Sequence, residues 1–174
     1  MALAGRTLVL WEGRLWRMHN RRYPAEDPDG ARLVSGRYNH RLDRFPEGET
    51  FPALYLATAP EICLGEVYRH VTPELLPSLN DFRLSELSVS LHEIADCRDP
   101  SALGLTPEDL AHDTDYRATQ SLGAAAVARG VEGLLVPSAT GHGDNHILFP
   151  QNLLAASRVR VVSSRNPRLY VKRD

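Results

Sequence analysis

Arg37, Tyr55 and Glu66 are the side chains whose type and setting best suit them to chemistry. Glu66 sits between apolar Leu64 and Val67, about two turns into a stretch that reads as a helix. Glutamate is rarely buried unless it is paired or working; the plain alternative is a solvent-facing carboxylate beside Arg69. Arg37 follows Gly36, and glycine lets a ligand approach the backbone closely. A guanidinium there could clamp a phosphate or carboxylate through paired hydrogen bonds, or could simply be a surface arginine in a turn. Tyr55 lies in an apolar strand, where its ring could be core or could offer a face to a flat ligand.

Other constellations are weaker. His142, Asp144 and His146 could supply metal ligands. They fall in a loop, however, where the spacing does not bring both imidazoles to one face, and no second cluster completes a shell. No metal is expected. Ser138 has no GxSxG elbow around it, which argues against a hydrolase nucleophile. GxGxxG and GxxxxGK[ST] are both absent, so the familiar dinucleotide and P-loop modes are not indicated. Cys63 and Cys97 form no CxxC pair, and Cys63 reads as a buried thiol in an apolar helix.

The elements that must position these residues are mixed. Leu15-Trp16-Arg17-Met18 reads as a short opening strand, Ala53 to Ala57 as a compact apolar one, and Phe82 to Ile94 as an alternating one. The Glu66 helix has Thr58 as its candidate N-cap, with Pro60 in the first turn and Glu61 completing a capping-box spacing. Ile62, Cys63, Glu66, Val67 and His70 share a stripe on it, and Pro73 stops it through Thr72. Thr106 to Asp109 repeats the cap chemistry before a short helix, and Tyr116 to Arg129 is a longer helix ended by Gly130. Val131 to Val136 and Ser157 to Val162 are strands, with a glycine-rich loop at Gly141 to Asp144 leading to Ile147-Leu148-Phe149. The order predicts an α+β fold, a compact mixed β-sheet core with flanking helices.

Its 174 residues suit one domain spanning 1–174, and 43% hydrophobic content allows a core of useful size. A net charge of −2 gives no general electrostatic case for binding nucleic acid. With no long apolar run and no signal-peptide pattern, neither membrane insertion nor export is expected, and the cytoplasm is the expected location.

It is the order of these segments that resembles a known family. Leu15 to Met18, Gly36-Arg37-Tyr38-Asn39, Leu54-Tyr55-Leu56-Ala57, Glu66 11 residues after Tyr55, Gly133 to Ser138, and Asp144 to Phe149 follow one another as in RES-domain proteins. These are the toxin halves of bacterial RES–Xre toxin–antitoxin pairs, and the match runs from about Leu15 to Val162. Tyr38 stands where the family often has tryptophan. The resemblance implies a fold similar to ADP-ribosyltransferases and NAD as substrate. It also implies a cognate Xre-type helix-turn-helix antitoxin, which would carry the DNA binding. Arg37 would then anchor the pyrophosphate, Tyr55 would stack on nicotinamide, and Glu66 would stabilise positive charge developing on the ribose. Tyr38 would contribute to the NAD site, Ser138 and Asn145 would position ribose or amide groups, and Arg17 would support the phosphates or the local fold. Water, phosphate or a protein side chain could each accept the ADP-ribose, and a non-catalytic binding module with the same fold is the remaining reading.

Overall fold

Leu87, Val89 and Leu91 point into the core while Ser88 and His92 between and beyond them are exposed. This is the period-two alternation of a strand with one buried face. In the computed structural model, which describes residues 3, 6–28, 31, 36–41, 44–69 and 79–167, they belong to β3, Phe82–Asp96. β1 is Leu8–Asn20, much longer than the four residues expected, because β3 gives it an antiparallel partner from Leu8↔Ala95 to Asn20↔Phe82. That pairing supports residues such as Leu8 that the core does not bury.

The other strands are β2 (Leu54–Ala57), β4 (Gly133–Pro137), β5 (Asp144–Leu148) and β6 (Arg158–Arg165). The sheet order is β1-β2-β5-β4-β3-β6, and the β1–β3 pairing curls it into a barrel-like body. Among the described strand pairs, β3–β4 alone is parallel. Leu15, Leu54, Leu56, Leu87, Leu135 and Leu148, drawn from five strands, pack together inside.

Among the described residues, the helices α1 (Pro60–Tyr68), α2 (Pro107–Ala111) and α3 (Arg117–Arg129) cover the outside. Leu122 and Ala126 of α3 pack on Leu134, Val136 and Ile147, while Cys63 and Leu64 of α1 pack with Ala57 and Leu84. The fold is α+β, as expected. The α2 start has the full capping box between Thr106 and Asp109, and α3 stops at Gly130 with φ +80°. The α1 start differs from expectation. Its N-cap is Ala59, without a side-chain cap, because the Thr58 hydroxyl donates to the Asp144 carbonyl at 3.0 Å and accepts from Asp144 N–H. The expected stop at Thr72-Pro73, and His70 of the expected stripe, lie outside the described residues; α1 ends at Tyr68.

β1 and β2 pair through a single residue pair, Trp16↔Ala57. Beyond it the two strands diverge, and the gap between Met18 on β1 and Tyr55 on β2 becomes a wall of the site.

Candidate functional site

Tyr55 anchors one side of that gap. Its hydroxyl donates to Asn39 Oδ1 and accepts from Tyr38 N–H, both at 2.8 Å, so a strand side chain fixes the loop that carries Arg37. Burial pushes the Tyr55 phenol above its ordinary range, which keeps it protonated and donating. The loop is also held by α3, where Gln120 Nε2 donates to the carbonyls of Gly36 and Asn39 at 3.3 and 3.4 Å. Two glycines make this contact possible. A methyl group on Gly36 would overlap Asn39 Oδ1 and Tyr55 Oη, and one on Gly123 would overlap the Tyr38 carbonyl. Gly36 is therefore a matter of space in this fold, not of unusual backbone angles.

Glu66 forms the opposite side, and the solvent-facing alternative is not what the structure contains. Glu66 Oε1 accepts from Ser138 Oγ at 2.5 Å, from Ala139 N–H at 2.9 Å and from Asn145 Nδ2 at 2.8 Å. Arg69, the residue that caps the end of the helix, pairs instead with Asp113. All three donors converge on Oε1, and among the described residues Oε2 makes no hydrogen bond. Thr140 closes the back of this cluster by sharing a hydrogen bond with Ser138 Oγ at 2.8 Å. The result is a carboxylate fixed in orientation with one oxygen left to face a cavity.

That cavity, of about 230 Å³, brings Arg37, Tyr38, Tyr55, Glu66 and Asn145 to one place. Cys63 also lines it, but burial raises its thiol to about 12, which leaves it a poor nucleophile at neutral pH. Arg37 NH1 donates to the His112 carbonyl, and the guanidinium lies 4.8 Å from the centroid of the Tyr116 ring. Its Nε and NH2 make no hydrogen bond among the described residues, leaving donors at the cavity for an anion. Ser138 is reached through Glu66 rather than being part of the lining.

Arg17 does not join this group. Its NH1 donates to the carbonyls of Ala25 and Asp27, so it ties β1 to the following loop. The histidines considered as metal ligands also separate: His142 is exposed, while His146 is fully buried and packs on Trp11 with ring centroids 4.2 Å apart. Among the described residues no group of three His, Cys, Asp or Glu side chains could hold a metal ion. Sequence reasoning passed over Gln120, Thr140 and Tyr116, whose places depend on contacts between distant segments. No local signal marks them.

A model of the RES domain matches residues 14–171. The chain belongs to the RES domain family. Among curated RES relatives, the NAD(+) phosphorylase MbcT of Mycobacterium bovis (strain ATCC BAA-935 / AF2122/97) is 31% identical over 146 residues. That alignment covers 79% of this chain and 74% of the relative, and MbcT of Mycobacterium tuberculosis (strain ATCC 25618 / H37Rv) matches to the same extent. A solved structure, the MbcT–MbcA toxin–antitoxin complex of M. tuberculosis, superimposes with a TM-score of 0.81 at 26% identity. It covers 97% of this chain and 92% of that one, so the two chains share one fold over most of their length. No helix among the described residues is long and apolar enough to cross a membrane.

Proposed function

We propose that this RES protein is a toxin that consumes NAD by phosphorolysis, cleaving the nicotinamide–ribose bond with inorganic phosphate as acceptor. The observation that carries the reading is the fixed Glu66 carboxylate, whose Oε2 has no hydrogen-bond partner among the described residues, lining one cavity with Arg37 and Tyr55. The phosphorylase name of relatives 31% identical to the chain supports the choice of acceptor.

In this reaction the nicotinamide leaves with the bonding electron pair as a neutral ring. The ribose passes through an oxocarbenium-like state, as in glycoside cleavage. A preorganised carboxylate near the ribose stabilises that charge with little reorganisation. Arg37 offers its free donors to the pyrophosphate, while Tyr55 and Tyr38 supply ring surface. A phosphate oxygen then bonds to the anomeric carbon, giving ADP-ribose-1″-phosphate and nicotinamide. A cavity of about 230 Å³ is below the roughly 300–1,000 Å³ of sites that enclose a drug-sized ligand. It suits the nicotinamide–ribose end, with the adenosine half lying outside it.

A toxin of this kind requires a neutralising partner, and the relative of known structure was solved in a toxin–antitoxin complex. We assign this chain an Xre-type helix-turn-helix antitoxin that blocks the NAD cavity. A cytoplasmic setting follows from the substrate, and both cysteines are free and buried, in keeping with a reducing compartment.

The test is to incubate purified, antitoxin-free protein with NAD and isotopically labelled phosphate. Label in an ADP-ribose phosphate product supports phosphorolysis. Free ADP-ribose without label assigns water as acceptor, and ADP-ribose attached to protein assigns transfer. Undiminished NAD under all conditions would remove the enzymatic reading.

A further inference from the structure

The short connection between α2 and α3 is built as a rigid turn. His112 Nδ1 accepts from the N–H groups of Thr114 and Asp115 at 3.3 and 2.9 Å, and the Tyr116 hydroxyl donates to the Asp113 carbonyl at 2.8 Å. Two arginines pin this turn to opposite sides of the cavity. From the Tyr55 side, Arg37 NH1 donates to the His112 carbonyl. From the Glu66 side, Arg69 NH2 meets Asp113 Oδ1 at 2.5 Å while its NH1 meets the Ala139 carbonyl, also at 2.5 Å. Ala139 N–H is itself a donor to Glu66 Oε1. Tyr116 therefore lines the cavity on a backbone that both walls hold in place.

A free arginine side chain has several rotatable bonds, and fixing it for one bound geometry costs conformational entropy at the moment of binding. An aromatic ring beneath the guanidinium removes much of that freedom beforehand, because the planar cation stacks on the ring face. The guanidinium carbon lies 4.8 Å from the Tyr116 ring centroid, within reach of such a contact. One edge of the guanidinium is occupied by the His112 carbonyl, and among the described residues the donors at Nε and NH2 have no partner.

We propose that Tyr116 is a positioning residue for NAD, acting through Arg37. Its ring holds the Arg37 guanidinium at the cavity with two free donors directed at the pyrophosphate. This rests on the NAD-consuming function proposed above. Tyr116 touches no reacting atom, so its removal weakens ground-state binding of NAD and leaves the bond-breaking step largely alone.

The experiment measures NAD consumption at saturating phosphate for the parent, Tyr116→Phe, Tyr116→Leu and Tyr116→Met, with thermal melting to establish folding. The leucine and methionine variants should raise KM for NAD about tenfold, between the exposed and desolvated limits for a cation–ring contact. Their kcat should stay within about twofold, as expected for lost uniform binding. Tyr116→Phe keeps the ring under Arg37 but loses the hydroxyl's bond to the Asp113 carbonyl, so its KM should fall between the parent and the leucine variant. In an Arg37→Lys background the leucine change should add little, since the two residues act as one unit. An unchanged KM in the folded leucine and methionine variants would overturn the proposal. So would a phenylalanine variant as impaired as leucine, or a full additional effect beside Arg37→Lys. A parent protein that consumes no NAD defeats the functional reading itself, before any variant is compared, and the positioning role with it.

Discussion

Asn145 and Ser138 donate to the same oxygen of Glu66, at 2.8 and 2.5 Å, although they stand 79 and 72 residues further along the chain. β4 and β5 bring them there. Ser138 follows the last residue of β4, Asn145 lies near the start of β5, and the pair Val136↔Asn145 fixes the register. The other oxygen has no hydrogen-bond partner among the described residues, because all three donors meet Oε1.

This one-sided arrangement makes Glu66→Gln an unusually clean substitution. A glutamine can keep its carbonyl oxygen where Oε1 sits and accept the same three hydrogen bonds, with its amide group in place of Oε2. The fold should be kept and the negative charge at the cavity lost. NAD consumption should fall by at least about 100-fold, the scale for removing one preorganised electrostatic contact. The check is a turnover assay beside thermal melting. A variant that melts like the parent and still consumes NAD at the parental rate would remove Glu66 from the chemistry.

The family resemblance has Asn145 positioning the ribose or the nicotinamide amide, whereas in the structure its Nδ2 holds Glu66. Replacing it with aspartate would set two carboxylates at hydrogen-bond distance, where both cannot readily ionise and one proton is retained between them. Asn145→Asp should therefore cost more activity than Asn145→Ala, about 100-fold against about tenfold at neutral pH. Lowered pH should not rescue it, since a shared proton also neutralises the working carboxylate. Equal losses in the two variants would show that only the lost donor matters.

Tyr55→Phe tests the loop rather than the reaction. It keeps the ring and leaves Tyr38 N–H and the fully buried Asn39 Oδ1 without their shared partner. Unsatisfied buried groups of this kind cost about 1–3 kcal/mol. Denaturant unfolding should report that loss, and KM for NAD should rise because Arg37 rides on the loosened loop. An unfolding midpoint equal to the parent's would mean that the hydroxyl does not hold the loop.

What can be read from the sequence follows from how far each signal reaches. The Thr106–Asp109 capping box, the Gly130 stop and the β3 alternation are contained within a few residues, and each is legible. Thr58 has the right spacing for a cap, but its hydroxyl is drawn to Asp144 on a strand 86 residues away, a competitor that local spacing does not reveal. Glu66 stands out as a carboxylate among apolar residues, yet nothing near it in sequence names its partners. Glu132 shows why burial alone would mislead. It is fully buried, with Oε2 accepting from His92 and Glu93 N–H and Oε1 from Leu154 N–H, so both oxygens are occupied by backbone and it lines no part of the cavity. The open oxygen of Glu66 is a three-dimensional fact with no local signature.

His146, considered as a metal ligand from sequence, makes a prediction about stability instead. It projects from β5 between Leu56 and Leu135 of the neighbouring strands into the barrel, and among the described residues neither ring nitrogen has a hydrogen-bond partner. Burial, with a smaller contribution from Arg98, lowers its pKa from 6.5 to about 4. The unfolded chain therefore binds a proton near pH 6.5 that the folded chain refuses until about pH 4. Stability from the neutral ring is complete above pH 6.5 and is lost as pH falls towards 4, by ~3 kcal/mol across that window. His146→Leu removes the titrating ring and both unpartnered nitrogens from an apolar interior, a replacement that can be neutral or stabilising. Urea unfolding at a series of pH values should show the parent weakening between pH 6.5 and 4 relative to the variant, with the two close at pH 7. Parallel stability profiles for the two proteins would mean that His146 is protonated in the fold, or that its burial is relieved by a partner.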